Sequence, residues 1–351
     1  MLDQTHIFAA VAGYVGRPEA TGAFGVFRRP AAPGGEWTNV FAEKETHYVM
    51  VHPTNPDVVL AGTIDGIYRS TDKGSTFTRA NFPEADRQIW SFLVDSRDPN
   101  RIYAGASPVG VFLSEDMGIS WKALPDPGIP VRLTSPFACR VMRMAQHPTK
   151  PDTIFGALEF GGAMVSHDSG QSWTDCGDPL VEMSKQPHLS SKIVSETTAE
   201  GMLDGHALTI AAADPDAVVI ALRMGLFETR DGGKTWQDKE AGKFSPTTYG
   251  RDVRAAPSEP STMYAALSVA AASHDGSLYK SSDAGKTWSR FDKVQVHGTI
   301  MSIGLHRQDP NQVYIGARYD GEVFGTQDAG KTWSEMSIPG EVKDIYCVTC
   351  G

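Results

Sequence analysis

The sequence is poor in the features that mark disulfide scaffolds, membrane spans and nucleic-acid-binding surfaces. Only four cysteines occur in 351 residues, too few for a disulfide framework. No apolar run approaches the roughly 20 residues of a membrane span, and Asp3 stands where a signal peptide would carry basic residues. The net charge is −10, whereas nucleic acids and anionic membranes need basic surfaces. We therefore expect a cytoplasmic protein that binds neither nucleic acids nor membranes.

Glycine is abundant by contrast, and one eight-residue pattern recurs six times. Its form is Ser/Thr-x-Asp-x-Gly-x-Ser/Thr-Trp/Phe, with copies at 70–77, 114–121, 166–173, 229–236, 281–288 and 326–333. Such a pattern predicts a turn. The Asp accepts backbone N–H groups across the bend, the Gly supplies a positive φ, and the aromatic side chain fills the core beside the turn.

The residues around each copy predict four strands. An apolar strand, a Pro/Asp turn and two further strands precede the pattern, and a fourth strand begins at its aromatic residue. Four antiparallel strands in roughly 40 to 60 residues form one blade of a β-propeller. The closing aromatic occurs seven times, at Trp37, Phe77, Trp121, Trp173, Trp236, Trp288 and Trp333. We therefore predict an all-β chain, with residues 1–351 forming a single seven-bladed propeller domain.

The two ends of the chain predict how the ring closes. The N-terminal "HIFAAVAG" starts partway through a blade as its second strand, and the C-terminal "EVKDIYCVTC" supplies the missing innermost strand. This pairing leaves no free sheet edge. Cys347 and Cys350 are an odd number of residues apart on that strand, so they face opposite sides and are expected to be core residues.

The eight-residue copies resemble the Asp-box (BNR) repeats of sialidases, sortilin-type receptors, xyloglucanase-type glycosidases and the photosystem II assembly factor. The resemblance implies the propeller fold but assigns no activity, because the box is a structural turn. Xyloglucanase-type enzymes would imply paired aspartates between two propellers. The photosystem assembly factor would imply a single, non-catalytic propeller.

Propeller topology places the candidate site. The box turns lie on one face, whereas the second-to-third-strand loops and the starts of the innermost strands surround the channel mouth on the other, where ligands usually bind. Arginine binds carboxylate, sulfate and phosphate groups through its planar fork. The residues predicted to bind substrate at this mouth are Arg140, Arg143, Arg223, Arg251, Arg318, Trp90 and Asp320, with Glu159 nearby. The alternative is that the arginines form salt bridges between blades.

Histidines and one tyrosine supply candidate acid–base groups. His47, His206 and Tyr249 reach the mouth and are the predicted catalytic residues. His47, His206 and His297 approach from three blades and would be the candidates for a shared divalent metal. Ordinary hydrogen bonding is the alternative, and no cofactor is assigned. Three other histidines precede the first turn of their blades and are expected to cap it: His52, His147 and His306.

The connection over residues 176–205 is the longest between blades. Long loops in compact domains are often functional, so it is interpreted either as a lid or as a tolerated insertion.

Two functions are consistent with these patterns. One is an enzyme of the hydrolase or lyase type that acts on a small anionic or polar substrate at the mouth. The other is a non-catalytic binding or assembly propeller, resembling the photosystem II assembly factor, that holds an acidic segment of a partner. The sequence pattern carries no information about the oligomeric state.

Overall fold

Seven four-stranded antiparallel sheets form a ring in the computed structural model, which describes residues 5–13 and 21–351. The predicted all-β, seven-bladed propeller is confirmed. From the axis outward, blade 1 consists of β28 (Asp344–Cys350), β1 (His6–Ala12), β2 (Gly25–Pro30) and β3 (Thr38–Phe41), and blade 2 consists of β4 (Thr46–Val51), β5 (Val59–Thr63), β6 (Gly66–Ser70) and β7 (Thr78–Arg79). Blade 3 consists of β8 (Gln88–Val94), β9 (Ile102–Ser107), β10 (Gly110–Ser114) and β11 (Lys122–Ala123). Blade 4 consists of β12 (Arg140–Gln146), β13 (Ile154–Glu159), β14 (Gly162–Ser166) and β15 (Thr174–Asp175). Blade 5 consists of β16 (Gly205–Ile210), β17 (Val218–Leu222), β18 (Gly225–Thr229) and β19 (Gln237–Asp238). Blade 6 consists of β20 (Tyr249–Ala255), β21 (Met263–Ser268), β22 (Gly276–Ser281) and β23 (Ser289–Arg290). Blade 7 consists of β24 (Ile300–Leu305), β25 (Val313–Ala317), β26 (Val323–Thr326) and β27 (Ser334–Glu335).

The C-terminal strand closes the ring, as predicted. β28 pairs antiparallel with β1 from Ile7 opposite Cys350 to Ala12 opposite Asp344. Its side chains pack against blades 7 and 2. Cys347 and Cys350 are both buried and belong to different hydrophobic clusters, which confirms that they are core residues on opposite faces of the strand.

The boxes have the predicted hydrogen bonds. Asp72 Oδ1 accepts the backbone N–H groups of Ser75 and Thr76 at 2.9 Å, and the other five boxes repeat the bond to the final Ser/Thr. Two consecutive residues are left-handed, Lys73 (φ 59°) and Gly74 (φ 70°), whereas the sequence pointed only to the glycine. A Cβ at Gly74 would lie 2.5 Å from Phe8 Cε1, so the glycine also lets neighbouring blades pack closely.

The innermost strand of every blade contains a β-bulge near its start. In blade 3, Ile89 pairs with Ala106 and Ser91 with Gly105, which leaves Trp90 without a partner in the ladder. Such an extra residue bends the strand and redirects a side chain. The seven extra residues, one per blade, line one axial cavity of about 10 Å³ and are called the bulge ring: His47, Trp90, Met142, His206, Arg251, Met301 and Tyr346.

The bulge ring and the layer beneath it fill the channel. His47 stacks on Trp90 at 3.8 Å between ring centroids, and Tyr346 meets His47 edge-on. Arg143 from blade 4 lies over the ring of Tyr48 from blade 2, 4.3 Å from its centroid. Large side chains therefore meet across the axis, and the mouth is a closed depression.

The insertion over residues 176–205 folds around one buried carboxylate. It contains α1 (Gly177–Met183), a 3-10 helix (Pro187–Leu189) and α2 (Glu200–Leu203) and packs on β14 and β17. Glu200, at 0% exposure, accepts the backbone N–H groups of Ile193 and Val194 at 2.8 and 3.0 Å. No helix in the described ranges has the length and apolar character needed to cross a membrane.

Burial makes the stability of this channel depend on pH. Desolvation, helped by Arg140, lowers the pKa of His47 from 6.5 to about 3. As pH falls through this window, unfolded His47 binds a proton and folded His47 does not, so stability declines, by about 2 kcal/mol at pH 5. His47→Phe keeps an aromatic ring and removes the titration. In urea unfolding, the free energy of unfolding should fall between pH 7 and pH 5 by about 2 kcal/mol less in the variant than in wild type.

The matched control is His297→Asn. His297 is exposed, and its pKa is raised by its hydrogen bond to Glu322, so its contribution has the opposite sign and its removal should slightly steepen the loss. If the free energy of unfolding of His47→Phe fell between pH 7 and pH 5 as much as that of wild type, His47 would not be neutral and buried.

Candidate functional site

A buried polar cluster lies at the mouth in blades 4, 5 and 6. We call it the mouth cluster: Arg140, Glu159, Asp204, His206, Arg223, Tyr249 and Arg251. Six members are buried, and the Arg223 side chain is 15% exposed. Each member lies at the start of an innermost strand or at a second-to-third-strand turn, the positions that the sequence identified as the mouth.

His206 is held by hydrogen bonds in a fixed orientation. Its Nδ1 lies 2.7 Å from the carbonyl oxygen of Gly250; because a carbonyl only accepts, Nδ1 carries a proton. Its Nε2 then faces the Tyr249 hydroxyl at 3.2 Å and Asp204 Oδ1 at 3.3 Å. Burial raises the pKa of Tyr249, so the phenol keeps its proton at neutral pH. The arrangement brings two predicted catalytic residues, His206 and Tyr249, into contact.

Asp204 connects the site to the insertion. Its Oδ2 accepts two hydrogen bonds from Arg223, at 2.8 and 2.9 Å, and Arg223 also donates to Glu200 at 2.8 Å. Its Oδ1 is buried and has no hydrogen-bond partner among the described residues, because the approach to His206 Nε2 lacks hydrogen-bond geometry. Burial opposes ionisation, but Arg223, which donates two hydrogen bonds to Oδ2, holds the Asp204 pKa well below its usual value. Asp204 is therefore an ionised carboxylate with one oxygen free.

Glu159 receives arginines from two blades. Arg140 donates to Glu159 Oε2 at 2.9 Å, and Arg251 Nη1 lies 3.8 Å from Oε1. The Arg140 guanidinium also covers Trp90, 4.0 Å from its ring centroid. Trp90 is 3% exposed between His47 and Arg140, so the prediction that it stacks on substrate is not supported. It is a structural part of the bulge ring.

Three other predicted binding residues lie outside the mouth cluster. Arg318 donates to Asp344 at 3.1 Å, and both side chains are buried. Arg143 packs on Tyr48 in the layer beneath the bulge ring. Asp320 is exposed at the β25–β26 turn with a φ of 56°. Arg318 and Asp344 come from different blades, as the salt-bridge alternative predicts, whereas Arg140 and Arg223 pair with Glu159 and Asp204 within their own blades.

The three histidines suggested as a shared metal site do not form one cluster in the described residues, although His47 and His206 both line the axial cavity. His47 packs against Trp90 and Tyr346, and His206 belongs to the mouth cluster. His297 is exposed and forms a hydrogen bond with Glu322. The turn-capping role predicted for the other three is confirmed. Nδ1 of each accepts backbone N–H groups of the following turn, in His52, His147 and His306.

Larger grooves lined by described residues lie on the box side of the ring. One, of about 630 Å³, runs between blades 4 and 5 near His147. Another, of about 610 Å³, lies near His52 and His306. Those histidines already cap turns, whereas the mouth cluster contains an unsatisfied carboxylate oxygen beside an imidazole. On chemical grounds the smaller, buried cluster is the better candidate.

Comparison with known proteins agrees with the repeats. A family model described as "Sortilin, neurotensin receptor 3" (Sortilin-Vps10) matches residues 276–348. With six boxes of common geometry in a seven-bladed ring, this decides the superfamily. The chain is an Asp-box β-propeller.

Curated relatives of this Asp-box propeller include two xyloglucanases. The probable oligoxyloglucan-reducing end-specific xyloglucanase of Neosartorya fischeri is 26% identical over 60% of this chain, and the Emericella nidulans enzyme is 23% identical over 61%. The aligned region covers 29% of each relative's length. The matched part of this chain therefore spans less than a third of the length of those proteins.

Solved structures share the fold. The GH74 xyloglucanase of Xanthomonas campestris is 16% identical with a TM-score of 0.61, over 83% of this chain and 45% of the other. YCF48 from Cyanidioschyzon merolae is 13% identical with a TM-score of 0.55, over 88% and 90%. Identities at this level bear on fold alone.

The buried ion pairs of Arg223 should stabilise the insertion. Arg223→Ala leaves the buried oxygens of Asp204 and Glu200 without their partner, which should cost about 3–5 kcal/mol of unfolding free energy. Arg230→Ala is the matched control. Arg230 bridges Asp214 and Glu228 on the surface with a side chain 48% exposed, so its loss should cost about 1 kcal/mol or less. Equal losses in urea unfolding would contradict the account.

Proposed function

We propose that this Asp-box propeller is a hydrolase that acts on a small polar or anionic substrate at the mouth cluster. The observation that carries the proposal is the convergence of Tyr249 and Asp204 on His206 Nε2, at 3.2 and 3.3 Å. The curated relatives named as xyloglucanases support hydrolysis as the reaction class. None of the relatives reported above supports the lyase alternative. Because the chain matches only 29% of their length, their substrate is not transferred to it.

Hydrolysis requires a base for water and a donor for the developing negative charge. A water molecule between His206 and Asp204 would meet two acceptors, Nε2 and Oδ1. Its oxygen attacks the electrophilic carbon, phosphorus or sulfur of the substrate, one of its protons passes to His206 Nε2, and the bond to the leaving group breaks. The Tyr249 hydroxyl donates to the substrate oxygen that gains charge, and the proton held at His206 then moves to the leaving group.

A substrate reaches these groups only when their cover moves. His206 is 2% exposed and Glu159 8%. The insertion is attached to the cluster through Arg223, which bonds Glu200 on one side and Asp204 on the other. In this proposal the insertion is the lid, and breaking the Arg223–Glu200 contact opens the mouth.

The alternative is a non-catalytic binding propeller. One observation favours it: the mouth arginines contact carboxylates within the protein, as in Arg140–Glu159 and Arg223–Asp204. A site whose charges are already paired is suited to a fixed structural surface. Binding of an acidic peptide without any turnover would support this alternative, and the peptide carboxylates would have to replace Glu159 or Asp204 as partners of the arginines.

A panel of chromogenic glycosides, esters, phosphates and sulfates tests the proposed reaction. Wild type should hydrolyse at least one class, and His206→Asn should lower kcat by about 100-fold or more with little change in KM, because the lost group acts in the transition state. His297→Asn removes an exposed histidine from the same face and should retain full activity. Thermal melts of each variant verify folding.

Two results would refute the hydrolase. One is the absence of turnover on every substrate class by folded wild type. The other is an unchanged kcat in folded His206→Asn.

A further inference from the structure

Three potential metal ligands converge in the mouth cluster. One oxygen each of Glu159 and Asp204 and one ring nitrogen of His206 lie within 4.8 Å of one another, and all three residues are buried. Within residues 5–13 and 21–351 this is the one group of three or more such residues with that spacing. Asp204 Oδ1 is buried without a hydrogen-bond partner, so one acceptor is directed into the group unsatisfied. A bound cation would satisfy it.

The opposite atom of each residue is already held. His206 donates from Nδ1 to the Gly250 carbonyl, as metal-binding histidines usually do. Asp204 receives Arg223 on Oδ2, and Glu159 receives Arg140 on Oε2. The remaining oxygen of each carboxylate and Nε2 of His206 are therefore the atoms that would bind a metal, with Arg251 3.8 Å from Glu159 Oε1 and the Tyr249 hydroxyl 3.2 Å from Nε2 as the groups that would have to move aside. Ligands oriented in this way by outer partners are typical of metal centres.

The spacing of two of these ligands fits a small transition metal, and the Glu159 oxygen lies within 4.8 Å of both. Bonds of about 2.0–2.1 Å at a tetrahedral angle put two zinc ligands about 3.3–3.4 Å apart, and His206 Nε2 lies 3.3 Å from Asp204 Oδ1. We propose that Glu159, Asp204 and His206 bind a divalent transition metal, with Zn²⁺ as the best fit. Three protein ligands leave a fourth position for water, whose proton such a metal makes easier to remove. The inference rests on the proposed hydrolase and changes how its water is activated: His206 Nε2 and Asp204 Oδ1 would hold the metal, and the metal would take over from them the activation of water by lowering its pKa.

The types of ligand at the site favour zinc over harder cations. Arg140, Arg223 and Arg251 balance Glu159, Asp204 and Glu200, so a dication enters a formally neutral environment and gains little from net charge. Mg²⁺ and Ca²⁺ bind mainly through oxygen ligands. Zn²⁺ also gains from imidazole. We expect selective binding of Zn²⁺, and of Co²⁺ as its substitute.

Metal retention tests the proposal without using activity. The full chain is stripped with a chelator, given one equivalent of Zn²⁺ and gel-filtered, and zinc is measured per chain. Wild type and His297→Asn should retain one zinc, and His206→Asn and Asp204→Asn should retain at least about tenfold less. Co²⁺ should give the visible spectrum of a tetrahedral site with wild type, and it should not do so with His206→Asn or Asp204→Asn. If those variants misfold, Glu159→Gln, which leaves the Arg223 contacts intact, serves as the third test.

Each outcome decides the matter. No zinc on wild type, equal zinc on folded His206→Asn, or loss of zinc in His297→Asn overturns the metal site. Zinc retention without turnover on any substrate class would refute the hydrolase alone. Turnover that depends on His206 in a chain that retains no zinc would refute the metal alone.

Discussion

One extra residue in the innermost strand of every blade determines what occupies the centre of this propeller. Because two residues of that strand oppose one of its neighbour, the regular alternation of side chains is interrupted, and one side chain per blade enters the axis. His47, Trp90 and Tyr346 come from blades 2, 3 and 1 and pack as an aromatic group. His206 and Arg251 come from adjacent blades 5 and 6. The axis is thus divided into an aromatic half and a polar half.

The polar half is also where the insertion attaches. Glu200 organises the insertion through its bonds to Ile193 and Val194, and Arg223 joins Glu200 to Asp204. Burying such charges is costly unless each is paired, and here each oxygen has a partner except Asp204 Oδ1. That unsatisfied carboxylate oxygen beside the imidazole of His206 distinguishes the mouth cluster from the structural ion pair of Arg318 with Asp344.

Features set by local, repeated patterns were predictable from the sequence. The boxes, the closing strand and the turn-capping histidines each depend on neighbours in the chain or on a period that recurs. The bulge ring was not predictable, because a bulge shifts the alternation by one residue and leaves no mark in an apolar strand. Trp90 was therefore predicted at a binding surface, although its ring is packed inside the channel.

Asp204 was missed for a related reason. It precedes a glycine at the end of a loop, which in sequence is indistinguishable from a turn residue. Its role depends on Arg223 and His206 being folded beside it. Glu159, His206 and Tyr249 were placed at the mouth correctly because strand starts and loop tips follow from the blade pattern. Their partners come from other strands and blades, and pairing of that kind requires the folded structure.

A crystallographic screen with small polar fragments (carboxylates, sugars, phosphates and sulfates) tests most directly whether the mouth cluster is the functional site. The account predicts that fragments bind there, within hydrogen-bond distance of Tyr249 or Asp204, with the insertion displaced from its contact at Arg223. Fragments that gather instead in the groove of about 610 Å³ beside His52 and His306, with the mouth cluster unoccupied in every crystal, would contradict it.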